Sequence, residues 1–92
     1  KGTGKNASTQ SNVTIPAGTK RIMVAMPAGS GYTKVLKSVT DVDGMGLDVT
    51  ANFAESTVAV EGANSYTAMN YKVYVAENAN GMSATRYTFV IG

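Results

Sequence analysis

The sequence contains no cysteine, no histidine and no tryptophan. Without cysteine there are no disulfide staples, no thiolate zinc ligands and no thiol nucleophile. Without histidine, the side chain best matched to proton transfer near neutral pH is missing. Serine–lysine, tyrosine and paired-carboxylate chemistry remain, but no local arrangement of those groups marks a strand-end pocket, so no enzyme activity and no cofactor are expected. Apolar runs are short, well under the roughly 20 residues of a membrane-spanning helix, and no signal peptide opens the chain. A cysteine-free domain is compatible with assembly in a reducing compartment. Starting at Lys1 without a methionine, the chain reads as a processed product or an excised piece of something longer.

Acid is missing from the first forty residues. That stretch carries Lys1, Lys5, Lys20, Arg21, Lys34 and Lys37, whereas all six acids fall at or after Asp41, beside only Lys72 and Arg86. The net charge of +2 is too small to point to nucleic acid, and strands distant in sequence interleave in a sandwich, so the bias does not imply a basic face. Ninety-two residues make one domain with a thin core, since a chain of this size buries only about 60–65% of its unfolded surface.

What is present is period-2 alternation. Residues 71–76 (Tyr-Lys-Val-Tyr-Val-Ala) and 86–91 (Arg-Tyr-Thr-Phe-Val-Ile) predict two strands, with Tyr71, Val73 and Val75 inward on the first and Tyr87, Phe89 and Ile91 inward on the second. Asn80-Gly81 lies between them, and the pair tolerates the positive φ of a tight turn, which predicts a β-hairpin.

Upstream, residues 1–11 are small and polar and read as a flexible leader, leaving residues 12–92 as a single β-sandwich domain. A first strand over residues 12–15 ends at Pro16-Ala17-Gly18. The second, residues 20–26, is apolar on both faces, Ile22, Val24 and Met26 against Met23 and Ala25, which predicts a central strand. Residues 32–42 give a third, with Leu36 and Val39 flanking a bulge. Asp41 to Gly46 reads as a loop, and residues 47–53 as a short strand or helical turn. Residues 56–61 form the next strand, with Val58 and Val60 inward, and Gly62-Ala63-Asn64-Ser65 turns the chain back. About seven short antiparallel strands without a long helix predict an all-β, Ig-like β-sandwich, with a small jelly roll or barrel as the alternative. The Cys, Trp, Cys pattern of antibody domains is lacking.

Three motifs invite a chemical reading, and each has a simpler one. Gly2-Thr3-Gly4-Lys5 lacks the preceding strand and the following Ser or Thr of a phosphate-binding loop, and reads as linker. Asp41, Asp43 and Asp48 lack the spacing and closing glutamate of an EF-hand; turn-forming aspartates explain them. Asn6-Ala7-Ser8 and Asn12-Val13-Thr14 match a glycosylation triplet that arises often by chance in such a composition. The five tyrosines are the remaining candidates, because their rings are apolar while their hydroxyls stay wet. Tyr71 and Tyr87 are assigned to the core, which leaves Tyr32, Tyr66 and Tyr74 as the expected surface-interaction residues.

Two stretches, Ile15-Pro16-Ala17-Gly18-Thr19-Lys20-Arg21 and residues 60–68 running into Tyr71-Lys72-Val73-Tyr74-Val75, resemble small β-sandwich modules of tailed-bacteriophage virion proteins. The resemblance implies a structural component of a virion, in capsid decoration, fibre or tail, with other virion proteins or further copies of the chain as partners. It carries over no site residues. The alternative it leaves is a carbohydrate-binding or host-adhesion module on a fibre, with a surface glycan as ligand.

Overall fold

The computed structural model describes residues 8–28, 32–60 and 69–92, and they form an all-β fold of two antiparallel sheets. Seven strands run β1 (Ser8–Ile15), β2 (Thr19–Pro27), β3 (Leu36–Asp41), β4 (Leu47–Asp48), β5 (Ala54–Val60), β6 (Met69–Met82) and β7 (Thr85–Ile91), with one 3₁₀ turn at Thr50–Asn52. Sheet A has the order β1-β7-β3-β4 and sheet B the order β2-β6-β5. β1 begins at Ser8, so the expected leader gives up residues 8–11 to β1; residues 1–7 lie outside the described part.

The sheets pack face to face through alternate residues. Sheet A contributes Leu36, Val39, Phe89 and Ile91, and sheet B contributes Met26, Tyr74 and Ala76, with Val49 and Phe53 closing the flank beyond β4. Phe53, Tyr87 and Phe89 meet edge to face at centroid separations of 6.0–6.3 Å, the arrangement that the ring quadrupole favours. Tyr87, Phe89 and Ile91 point inward as their alternation predicts. Leu36 and Val39 are both buried because the ladder to β7 shifts register between Leu36 and Ser38, the expected bulge.

Strands β6 and β7 do not form the expected hairpin. β6 pairs with β2 and β5, β7 pairs with β1 and β3, and the link at Ser83-Ala84 carries the chain from one sheet to the other. Gly81 has the expected positive φ, +88°, but at a bulge, where Asn78 to Gly81 are extra residues opposite Lys20. A Cβ on Gly81 would stand 2.9 Å from the Gly18 Cα, so close backbone approach and left-handed φ both demand glycine. The second strand is likewise not central: β6 takes that place and β2 is an edge. Residues 47–53 combine both expected forms, a two-residue strand and a helical turn. The predicted turn over residues 62–65 lies outside the described residues.

The Asp41 to Gly46 loop is held by its own aspartates. The Asp41 carboxylate accepts from the Gly44 N–H and the Thr85 hydroxyl, while Asp48 accepts from the N–H and hydroxyl of Thr50. Asp43 makes a bidentate pair with Arg86, 2.6 Å at the closest, which ties the loop to β7.

Candidate functional site

Neighbouring residues in a sheet register point to the same side, so the ladders fix what each outer face presents. On sheet B the outward rows are Arg21 with Glu77, Met23 with Val75 and Ala54, Ala25 with Val73 and Ser56, and Pro27 with Tyr71 and Val58. Apart from the Arg21–Glu77 pair at one end (3.8 Å) and Ser56, this face is apolar or aromatic. Met23 is 50% exposed and Val58 44% exposed, while Val73, at the centre of the same row set, is 6% exposed. The outward rows of sheet A are Thr9, Thr14, Ser38, Thr40, Asp48, Arg86, Thr88 and Val90.

β6 therefore has its faces the other way round from the sequence expectation. Tyr71, Val73 and Val75 look outward, and Lys72, Tyr74 and Ala76 look into the molecule. The inward set suits the interior because Tyr74 and Ala76 join the core cluster, while Lys72 reaches the Lys34 carbonyl at 3.3 Å. Val58 likewise points outward, opposite to its expected direction.

Of the three tyrosines assigned to the surface, two lie among the described residues. Tyr74 is 6% exposed and belongs to the core; burial pushes its ionisation up, and the nearby Glu55 carboxylate adds to the shift against the Leu36 backbone amide. Tyr32 is half-buried in an isolated bridge. Tyr66 lies outside the described residues. Tyr87, inward as expected, is also shifted up, first by burial and then by the charge of Asp41.

Concavities flank the layers among the described residues. Between the β1 and β2 edges runs an apolar groove of about 350 Å³, lined by Val13, Ile15, Ile22, Val24, Phe89 and Ile91 among others. At the end of the molecule that carries the β6 bulge, a cleft of about 310 Å³ is bounded by Asn52, Phe53, Glu77, Asn78, Met82 and Tyr87. Among the described residues, Asp41, Asp43 and Asp48 do not gather into a set that could hold a metal ion.

The surface feature that the sequence did not reveal is thus the outer face of sheet B. Part of its signal is in the sequence: β2 is apolar on both faces, which predicts a central strand, whereas the structure makes it an edge whose second apolar face lies on the outer side. No family model, no curated protein and no solved structure matches the chain, so the site rests on its own geometry.

Proposed function

We propose that this chain is a non-catalytic structural module that joins a larger protein assembly through the outer face of sheet B, in the virion setting that the sequence resemblance implies. The observation that carries the reading is the orientation of β6, whose more apolar row lies on the outer side of sheet B, half-buried to buried, between the exposed Met23 and Val58. An exposed contiguous apolar surface of this kind marks interaction sites in soluble domains. Strand spacing and rise give it an area of roughly 400 Å². That is about half of what a stable interface of standard size takes from each partner. The occupant is therefore the structural protein on which the module is mounted, which also holds it elsewhere.

For the finer fold we infer jelly-roll-like winding in place of the Ig-like label. The first strand lies beside the last and the second beside the penultimate, whereas constant-type immunoglobulin sheets set the sixth strand between the third and the seventh. Jelly rolls serve in viral capsids and in lectins, which fits both functional readings by analogy of fold alone.

The test is binding of the module to purified components of its source particle. Val58→Lys is expected to weaken binding at least tenfold, and unchanged affinity overturns the face as the contact. Electron microscopy of the particle tests the setting independently: a particle without density for the module removes the virion role.

A glycan-binding role is the second reading, and the cleft beside the β6 bulge favours it, since two amides, a carboxylate and a phenol border a space of about 310 Å³. Saturable binding on a glycan array, lost in Asn78→Ala, would support it. Tyr74→Ala is not a usable probe, because Tyr74 is in the core.

A further inference from the structure

We propose that β2 pairs antiparallel with β2 of a second copy of the chain, about a two-fold axis passing through Met23. The inference rests on the assembly role of sheet B and names the partner at its edge.

Among the described residues four strands stand at sheet edges, and they are not equally open. β1 is bulged between Gln10 and Val13, with Asn12 at φ +55° and its N–H donated to the Thr88 hydroxyl, a distortion that spoils pairing. β4 has two residues. β5 is also regular, from Ala54 to Val60, but no residue of it lines the apolar groove. β2 keeps regular register with β6 from Arg21 to Pro27, and beside it lies the apolar groove of about 350 Å³, where Ile22 and Val24 remain half-buried.

The hydrogen-bond alternation of an antiparallel pair tells which β2 groups are unused. The Ala28 N–H donates to the Asn70 carbonyl at 2.9 Å, in the same register as the β2–β6 ladder, so even-numbered residues of β2 bond to β6. Arg21, Met23, Ala25 and Pro27 then direct their backbone groups away from β6. Pro27 has no N–H to offer there, and at the other end the Thr19 N–H is spent on the Pro16 carbonyl at 3.2 Å. The usable outward donors are Arg21, Met23 and Ala25, a set symmetric about Met23. Antiparallel pairing about that residue satisfies all of them: Met23 exchanges bonds with its own copy, and Arg21 with Ala25 of the other chain, about six bonds in all.

Charge selects the same arrangement. The cations of β2, Lys20 and Arg21, lie together at one end. Parallel pairing would set Lys20 beside its copy, roughly 5 Å away at ladder spacing. Antiparallel pairing about Met23 sets Lys20 opposite Met26 and separates the two lysines by roughly 20 Å, beyond the screening length. On the inner side Ile22 lies opposite Val24 of the other copy, covering the groove. On the outer side the two apolar faces become continuous.

The chain has no cysteine, so a single introduced thiol reports the register. Residues directly opposite in a hydrogen-bonded pair have Cα atoms about 5.5 Å apart, within disulfide range. Met23→Cys is expected to oxidise to a disulfide-linked dimer in most of the chains, and Val58→Cys, exposed on β5, to keep the dimer but remain largely without a disulfide. Ala25→Pro removes an outward donor without touching the β6 ladder and should shift sedimentation from dimer to monomer. The proposal is overturned if Met23→Cys links no better than Val58→Cys, or if the unmodified chain sediments as a monomer at high micromolar concentration. Preferential linkage through Val58→Cys, or ladders of higher oligomers, would place the contact at β5 and equally reject it. The two proposals separate cleanly: Ala25→Pro should lose the dimer and keep binding to the particle component, while Val58→Lys should do the reverse.

Discussion

Sheet A and sheet B meet at one core but treat their outer sides differently. Sheet A turns threonines, Ser38, Asp48 and Arg86 to solvent, and its edges are a bulged strand and a two-residue strand. Sheet B turns Met23, Val58, Tyr71 and Val75 outward, and its edge strands keep regular register over Arg21–Pro27 and Ala54–Val60. A sheet with one core face needs polarity on the other only if that other face stays wet. Sheet A presents a polar outer surface, and sheet B one that, on the proposed reading, continues into a neighbour. Stability of the isolated chain is then expected to depend on the inner rows of both sheets, and association, under that proposal, on the outer rows of sheet B.

Adjacent tyrosine rows on β6 give the largest expected contrast. Tyr74→Ala removes a core ring and should destabilise by about 3–4 kcal/mol. Tyr71→Ala, on the outer row of the same strand, should cost about 1 kcal/mol or less. Urea unfolding of the two variants checks this, and the reverse order would exchange the two faces of β6.

Gly81→Val should follow, at about 2 kcal/mol, because a β-branched residue is strained at φ +88° and its Cβ would collide with the Gly18 backbone. Thermal unfolding measures it. Retained stability would mean that the bulge can relax away from the β1–β2 turn.

Charge placed on the two outer faces should then separate them by behaviour and not by stability. Val58→Lys on sheet B and Thr14→Lys on sheet A should each change unfolding free energy by under about 0.5 kcal/mol. Binding of an apolar dye should fall markedly only for Val58→Lys. Equal effects would mean that the two faces do not differ as their residues imply.

The smallest effect concerns acid. Hydrogen bonding to Arg86, with its charge, holds the Asp43 carboxyl below the ordinary aspartate value, and Thr50 does the same for Asp48. A carboxyl lowered in the folded state stabilises it above the unfolded pKa, near 4, and that contribution is lost as pH falls through the folded value. Asp43→Asn should flatten the loss of stability below pH ~4, modestly, because the pair is exposed. An unchanged acid limb would show the pair to be without weight.

The strand pattern was legible where one face is polar. In β7, Arg86, Thr88 and Val90 alternate with two aromatics and Ile91, and the inward set follows directly. Gly81 announced its φ because Asn-Gly is a pair chosen for backbone reasons. The orientation of β6 was not legible, since Tyr71, Val73 and Val75 are more apolar than Lys72, Tyr74 and Ala76, and burial is ordinarily the better explanation of such a row. Nor was the partnership of β6, because consecutive strands usually pair. Here the pairing is decided by contacts distant in sequence, such as Val24 with Tyr74 and Val39 with Phe89. The same cause hid the candidate site. Tyr74 was placed outside because its neighbours were placed inside, and one reversal of parity moved both.

Oxidative footprinting of the free and the assembled module tests the central claim, that the outer face of sheet B is covered by a partner. Methionine supplies its own controls, since Met45 is 99% exposed, Met26 is 2% exposed, and Met23 stands on the face in question beside Tyr71. In the free chain Met45 and Met23 should oxidise readily and Met26 slowly. On assembly with the particle component, Met23 and Tyr71 should become protected while Met45 stays reactive. Protection of Met23 without Tyr71 would limit the contact to the β2 edge, and oxidation of both at the free-chain rate would contradict the account.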